Sequence, residues 1–305
     1  MLTNKIQLWS DQDDVNLFAY ILDNSQEFNN SKKRPAVIIC PGGAYLGTSD
    51  REAEPVAMRF SAIGYHAFVL RYNTYFSNKP LTDFMNFPTE VNVKSTFPQP
   101  LLDLAKAIIT IREKENEWLI DSDRIAICGF SAGAHLAATI GTHWQDEFLR
   151  EKFDVDNSFL KPNALILGYP LLDYVVMKEE VQAAKNDINM GLWEISNKAV
   201  FGETSPSEED LEKNSPINYI TSYTPPTFIW HTADDELVYV SNSLKFALAL
   251  TKHKVPYELH IFESGVHGLS LCDETTASEP YHINPNCKVW FDMAVSWIKR
   301  HFAES

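Results

Sequence analysis

Residues 124–138 read Arg124-Ile125-Ala126-Ile127-Cys128-Gly129-Phe130-Ser131-Ala132-Gly133-Ala134-His135-Leu136-Ala137-Ala138. An apolar run gives way to a turn holding one serine between two glycines, then to an alanine-rich stretch. That order predicts a strand, a sharp turn and a helix, with the Ser131 hydroxyl lifted above a parallel sheet. The glycines permit a strained turn and keep bulk away from whatever approaches the hydroxyl. A bare G-x-S-x-G also arises by chance, and a serine there can simply cap a helix. The strand before it and the helix after it favour a nucleophile.

The alternation continues on both sides. Residues 36–40 form an unbroken apolar run, as expected of a strand covered on both faces, and end in Pro41-Gly42-Gly43-Ala44-Tyr45. Residues 54–62 read as helix and 67–70 as strand. Residues 101–115 have helical spacing, with Leu104, Ala107, Ile108 and Ile111 on one face. Strands are expected at 164–167, 227–230 and 257–262, with helices at 241–250 and 290–302. Residues 17–22 predict an edge strand. The fold class is therefore α/β, a doubly wound, mostly parallel sheet with helices on both faces. Residues 75–100 and 174–224 break the rhythm and are longer than ordinary connections. They are expected to be lids or pocket walls over the catalytic edge, where function collects in loops. No linker, charge block or repeat divides the chain, so residues 1–305 are expected to form one domain.

With 305 residues and 45% of them hydrophobic, the chain can bury a substantial core. The formal net charge of −15 argues against nucleic acid and anionic membrane as partners. It gives only a mild bias toward neutral or cationic ligands. Residues 1–6 lack the apolar segment of a secretory signal, and no run reaches transmembrane length. Cys40 and Cys128 sit at strand ends as expected buried thiols. Cys272 and Cys287 could pair, though nothing requires it. A reduced, cytoplasmic setting is expected. Two cysteines without a histidine cluster make a poor zinc site.

A serine hydroxyl needs a histidine base, and that base needs a carboxylate to hold its tautomer. In this fold class they follow the serine in the order carboxylate, histidine. After the strand at 227–230 come His231-Thr232-Ala233-Asp234-Asp235-Glu236-Leu237-Val238, and after the next strand Glu263-Ser264-Gly265-Val266-His267-Gly268-Leu269. Gly265 and Gly268 suit an exposed His267 ring on a tight turn, with a plain surface histidine as the alternative. His135, one turn beyond Ser131, suits packing or capping; His231 suits a structural or pocket-lining place. Asp234 and Asp235 share the turn, and either could cap the helix beginning near Val240. The oxyanion of acyl transfer needs fixed N–H donors. Ala132 supplies one, and the glycine turn is expected to supply others from Gly43 and Ala44. Tyr45, the two long insertions and the aromatic stretch 72–87 could line an acyl or sugar pocket, or the aromatics could simply fill the core. Arg51 and Glu54 are expected to form a structural pair.

Together these motifs resemble the α/β-hydrolase superfamily. The likeness is to its esterase/lipase-like members, akin to hormone-sensitive lipase, and to the acetyl-xylan-esterase-like or "sugar hydrolase" branch. It rests on Cys40 to Tyr45, Arg51 to Ala57, Gly64 to Tyr72, Gly129 to Gly133, Trp230 to Asp235 and His267-Gly268-Leu269, in that order. Pro41 stands where the lipase-like group has histidine, and Ala44 where it has a third glycine; only the amide is used there. The family's D-x-x-V pattern matches Asp235-Glu236-Leu237-Val238, which favours Asp235 over Asp234. The resemblance implies a serine carboxylesterase acting on short acyl esters, acetyl esters of sugars among them, without metal or cofactor. Ser131 would be the nucleophile, His267 the base and Asp235 its orienting acid. An amidase or peptidase with the same triad is the alternative, although related oligopeptidases carry a large additional domain. The expected partner is a small-molecule ester, with a homo-oligomer left open.

Overall fold

The apolar runs around Ser131 become the centre of the sheet because both of their faces are covered. In the computed structural model, which describes residues 1–25, 27, 32–77 and 90–303, eight strands form one sheet. They are β1 (Leu2–Trp9), β2 (Gln12–Ile21), β3 (Arg34–Cys40), β4 (His66–Arg71), β5 (Ile120–Phe130), β6 (Ala164–Gly168), β7 (Thr227–Thr232) and β8 (Tyr257–Phe262). Their order is β1-β2-β4-β3-β5-β6-β7-β8. β1 and β2 pair antiparallel, as do β2 and β4. From β4 to β8 each pairing is parallel. This is the doubly wound, mostly parallel sheet expected from the sequence.

The helices are α1 (Glu54–Ala62), α2 (Gln99–Glu113), α3 (Glu115–Trp118), α4 (Ala132–His143), α5 (Glu147–Phe153), α6 (Tyr174–Ala184), α7 (Asp187–Phe201), α8 (Glu208–Lys213), α9 (Ser241–Lys252) and α10 (Trp290–Ala303). Successive strand residues point to opposite faces, and the core divides accordingly. Ile38, Phe68, Ile127, Leu165 and Ile229 pack with α2, α4 and α9. Val37, Val69, Cys128, Ile166 and Trp230 pack with α1 and α10, where Trp230 stacks on Trp290 with centroids 5.0 Å apart.

One expectation is corrected, and two others gain detail. Residues 17–22 fall mostly in β2, which lies inside the sheet; the edge is β1. The mostly exposed burial pattern of β1 leaves no clear apolar alternation to read. The interval 174–224 is largely helical, carrying α6, α7 and α8. Asp173 caps α6 by accepting from Val175 and Val176, and Asn186 caps α7 by accepting from Ile188 and Asn189. In the aromatic stretch, Tyr72 and Tyr75 are buried in the core rather than in a pocket. Residues 78–89 of that stretch, and of the expected insertion at 75–100, lie outside the described residues. Among the described residues no helix is long and apolar enough to cross a membrane.

Parallel strands end on one edge, and that geometry assembles the site. The carboxyl ends of β3, β5, β7 and β8 deliver the glycine turn, Ser131, Asp235 and His267 respectively.

Candidate active site

Ser131 joins β5 to α4 with φ 52° and ψ −120°, a conformation L-residues rarely adopt. Close approach explains both flanking glycines. A Cβ on Gly133 would lie 2.0 Å from the Cys40 carbonyl oxygen, and one on Gly129 would lie 2.3 Å from the Gly133 carbonyl oxygen. The Ser131 N–H donates to the Gly168 carbonyl at 3.0 Å, which fixes the turn to β6.

Ser131, His267 and Asp235 come together in one hydrogen-bonded line. Ser131 Oγ is 2.8 Å from His267 Nε2, and His267 Nδ1 is 2.7 Å from Asp235 Oδ2. The other Asp235 oxygen accepts from the Leu237 and Val238 N–H groups at 2.9 and 3.0 Å. The adjacent Asp234 never reaches the imidazole. Its Oδ1 accepts from the Gly265 N–H at 2.7 Å and pins the histidine loop to the loop after β7. Neither aspartate caps α9, whose N-cap is Val240 without a side-chain bond.

Electrostatics follow from this packing. Burial alone would raise the Asp235 pKa, but the charge of His267 and hydrogen bonds from His231 and His267 hold its carboxyl well below the usual range. Burial pulls His267 down, yet the charge and hydrogen bond of Asp235, with a smaller push from Glu52, leave it raised. His267 is therefore a stronger base than a free imidazole.

A second hydroxyl–imidazole–carboxylate line lies behind the first. His231 Nδ1 is 2.8 Å from Ser243 Oγ, and its Nε2 is 3.2 Å from Asp235 Oδ2 and 2.8 Å from the Val238 carbonyl. His231 and Ser243 are both fully buried, so no substrate reaches them. Their place is structural, as expected for His231. His135 is equally buried and bridges the Tyr45 hydroxyl at 2.6 Å and the Asn214 carbonyl at 2.7 Å. Burial lowers its pKa to about 4, so it stays neutral.

The glycine turn after β3 carries left-handed φ values at Gly43 (132°), Ala44 (55°) and Tyr45 (58°). Its internal bonds run from the Leu46 and Gly47 N–H groups to the Gly43 carbonyl, and from the Ser49 N–H to the Gly42 carbonyl. The N–H groups of Gly43 and Ala44 take no part in them. Ala132, as the first residue of α4, has no intrahelical acceptor for its N–H.

Sequence reasoning missed Glu52 and Tyr169. Glu52 is buried beneath the glycine turn, where Oε2 accepts from the Gly42 N–H at 2.7 Å and Oε1 from the Tyr169 hydroxyl at 2.6 Å. The expected Arg51–Glu54 pair does not form. The Arg51 guanidinium instead donates to the carbonyls of Thr276 and Gly268 at 2.6 and 2.9 Å, and Glu54 faces the Tyr20 hydroxyl. The guanidinium is thus taken up by carbonyls of the segment after β8, while the Glu54 side chain is exposed.

Beside Ser131 opens a small cavity of about 50 Å³, walled chiefly by Leu171, Tyr174, Met177, Leu192, Trp193 and Val238. Ala44, Tyr45 and Ala132 also line it. Several of its polar groups are already engaged within the protein. Tyr45 is bonded to His135, Ser196 donates to the Ala44 carbonyl at 3.0 Å, and Asn189 donates to the Glu236 carbonyl at 2.7 Å. Among the described residues no group of three or more His, Cys, Asp or Glu side chains is disposed to hold a metal ion. All four cysteines are free and buried.

A family model described as BD-FAE matches residues 22–250. Among curated proteins the chain is 31% identical over 263 residues, 85% of its length, to an endo-1,4-beta-xylanase B of Butyrivibrio fibrisolvens. It spans 35% and 54% of the lengths of the first two curated relatives it matches. Among solved structures it resembles the carboxylesterase Cest-2923 of Lactobacillus plantarum, at 27% identity and TM-score 0.78, covering 98% of each chain. An acetyl ester-xyloside bifunctional hydrolase of Caldicellulosiruptor lactoaceticus is 32% identical with TM-score 0.72, covering 97% of this chain and 96% of that one. These structures share the α/β-hydrolase fold expected from the sequence.

Proposed function

The chain belongs to the BD-FAE family, and from that membership we propose that it is a serine carboxylesterase hydrolysing short-chain acyl esters. Acetyl esters of sugars or oligosaccharides are the favoured substrates. The observation that carries the reading is the line Ser131–His267–Asp235, at 2.8 and 2.7 Å, set at the mouth of an apolar cavity.

Ser131 Oγ attacks the ester carbonyl carbon as His267 Nε2 takes the hydroxyl proton. The carbonyl oxygen becomes an oxyanion held by the N–H groups of Gly43, Ala44 and Ala132. Collapse expels the alcohol, which leaves with the proton from His267. Water then gives a proton to His267 and its oxygen attacks the acyl-enzyme. The acid departs and the proton returns to Ser131. Asp235 holds the Nδ1–H tautomer and stabilises the imidazolium throughout.

The acyl group belongs in the cavity, whose walls are apolar and whose histidine is neutral. A sugar alcohol therefore sits outside it, toward solvent. The acetyl-sugar preference draws support from the name of the similar Caldicellulosiruptor hydrolase. The test compares p-nitrophenyl acetate with peracetylated xylose, using wild type and Ser131→Ala. Serine-dependent release of acetate from both supports the reading. Turnover of the aryl ester alone removes the sugar assignment, and no serine-dependent turnover removes the esterase.

A further inference from the structure

We infer that Glu52 is a positioning residue that braces the oxyanion turn against the loop carrying His267. The inference rests on the esterase reading above. Glu52 ends a short 3-10 turn, Asp50–Glu52, and is 4% exposed. One carboxylate oxygen holds the Gly42 N–H at 2.7 Å, immediately before the proposed oxyanion donors. The other holds the Tyr169 hydroxyl at 2.6 Å. That same hydroxyl accepts from the Ser270 N–H at 3.0 Å, three residues beyond His267. The Ser270 hydroxyl closes the circuit by donating to the Arg51 carbonyl at 2.6 Å. The Tyr169 ring meets the His267 imidazole edge-on, with centroids 4.9 Å apart.

Three loops thus meet on one buried carboxylate. Gly42 is held between that carboxylate and the elbow: a Cβ there would lie 2.9 Å from Glu52 Oε2 and 2.8 Å from Ser131 Cβ. Among the described residues Glu52 forms no salt bridge, since the neighbouring Arg51 is turned to the Thr276 and Gly268 carbonyls. A buried carboxylate without a paired cation is costly. A neutral brace would be cheaper, so the charge has a use. The groups facing His267 are Ser131 and Asp235 at its two nitrogens and the Tyr169 ring on its edge. Arg51 lies at the Gly268 carbonyl, Asp234 at the Gly265 N–H, and Glu52 behind Tyr169. Glu52 adds a second negative charge that favours the imidazolium formed in each chemical step.

The test is Glu52→Gln, which keeps the shape, removes the charge and places an amide donor against one of the two existing donors. kcat is expected to fall about ten- to hundredfold, as for a slight misplacement of reacting groups. KM should stay within about twofold. The acid limb of the pH–rate profile, and the His267 imidazole titration followed by NMR without substrate, should both move to lower pH. Burial raises the Glu52 pKa in the folded state, so its ionised form costs folding free energy at neutral pH. Relief of the buried charge is offset by the opposed donor, so the melting temperature of Glu52→Gln should change little. Tyr169→Phe keeps the charge and cuts the bridge, so kcat should fall while the limb stays in place.

Wild-type kcat and titration in Glu52→Gln would overturn the inference. So would a loss of kcat that merely tracks a lower melting temperature. An inactive wild type would instead remove the esterase reading, and the NMR titration would still decide whether Glu52 acts on His267.

Discussion

Asp235 Oδ2 receives two imidazoles, His267 Nδ1 at 2.7 Å and His231 Nε2 at 3.2 Å. His231 Nε2 also meets a carbonyl, that of Val238, so this nitrogen carries the proton. The carboxylate is thereby held from behind by a buried donor while its front is free to orient the base. Asp235→Asn is expected to lower kcat by about four orders of magnitude by stabilising the wrong tautomer of His267. The fold should survive, which circular dichroism checks.

His231→Ala should act mainly on stability. It leaves Ser243 Oγ and the Val238 carbonyl without their partner and opens a void, at a cost of about 1–3 kcal/mol. Urea unfolding measures that loss, and kcat should fall far less than in Asp235→Asn. Equal losses of kcat in the two variants would contradict the division of labour.

The pH profile follows from the raised pKa of His267. The base must be neutral to take the serine proton, so kcat/KM should rise with pH. Its half-maximum should lie above the ordinary histidine value of about 6.5. Asp235 contributes in the opposite sense to stability. Its folded pKa is depressed, so its contribution is complete above about pH 4 and lost as pH falls through the folded value. The stability gap between wild type and Asp235→Asn should narrow below about pH 4. Rate profiles and acid unfolding curves check the two halves separately.

With the acyl group in the cavity, as proposed, the cavity walls should limit acyl length. Trp193→Ala removes the largest side chain in the wall formed by α7 and should raise kcat/KM for p-nitrophenyl octanoate relative to acetate. Each additional buried methylene is worth up to about 0.8 kcal/mol. An unchanged ratio would place the acyl group elsewhere.

How much was legible follows from how local each signal is. The elbow is written in consecutive residues, because strand, turn and helix all act within 124–138 and each glycine answers a contact a few ångströms away. His267 and Asp235 could be found because each follows a recognisable core strand. Choosing Asp235 over Asp234 needed the family pattern, since the two differ only in which loop N–H groups they meet. Glu52 was illegible: a buried carboxylate on a one-turn helix looks in sequence like Glu54 two residues on. What separates them is Gly42 and Tyr169, which the fold brings from 10 and 117 residues away. β1 escaped notice for the opposite reason, because an exposed edge strand carries little apolar pattern.

The most direct measurement is the intact mass of the protein after reaction with a fluorophosphonate, followed by peptide mapping. The account predicts one adduct on Ser131, absent in Ser131→Ala and formed far more slowly in His267→Ala. An adduct on any other residue, or labelling unaffected by loss of His267, would contradict it.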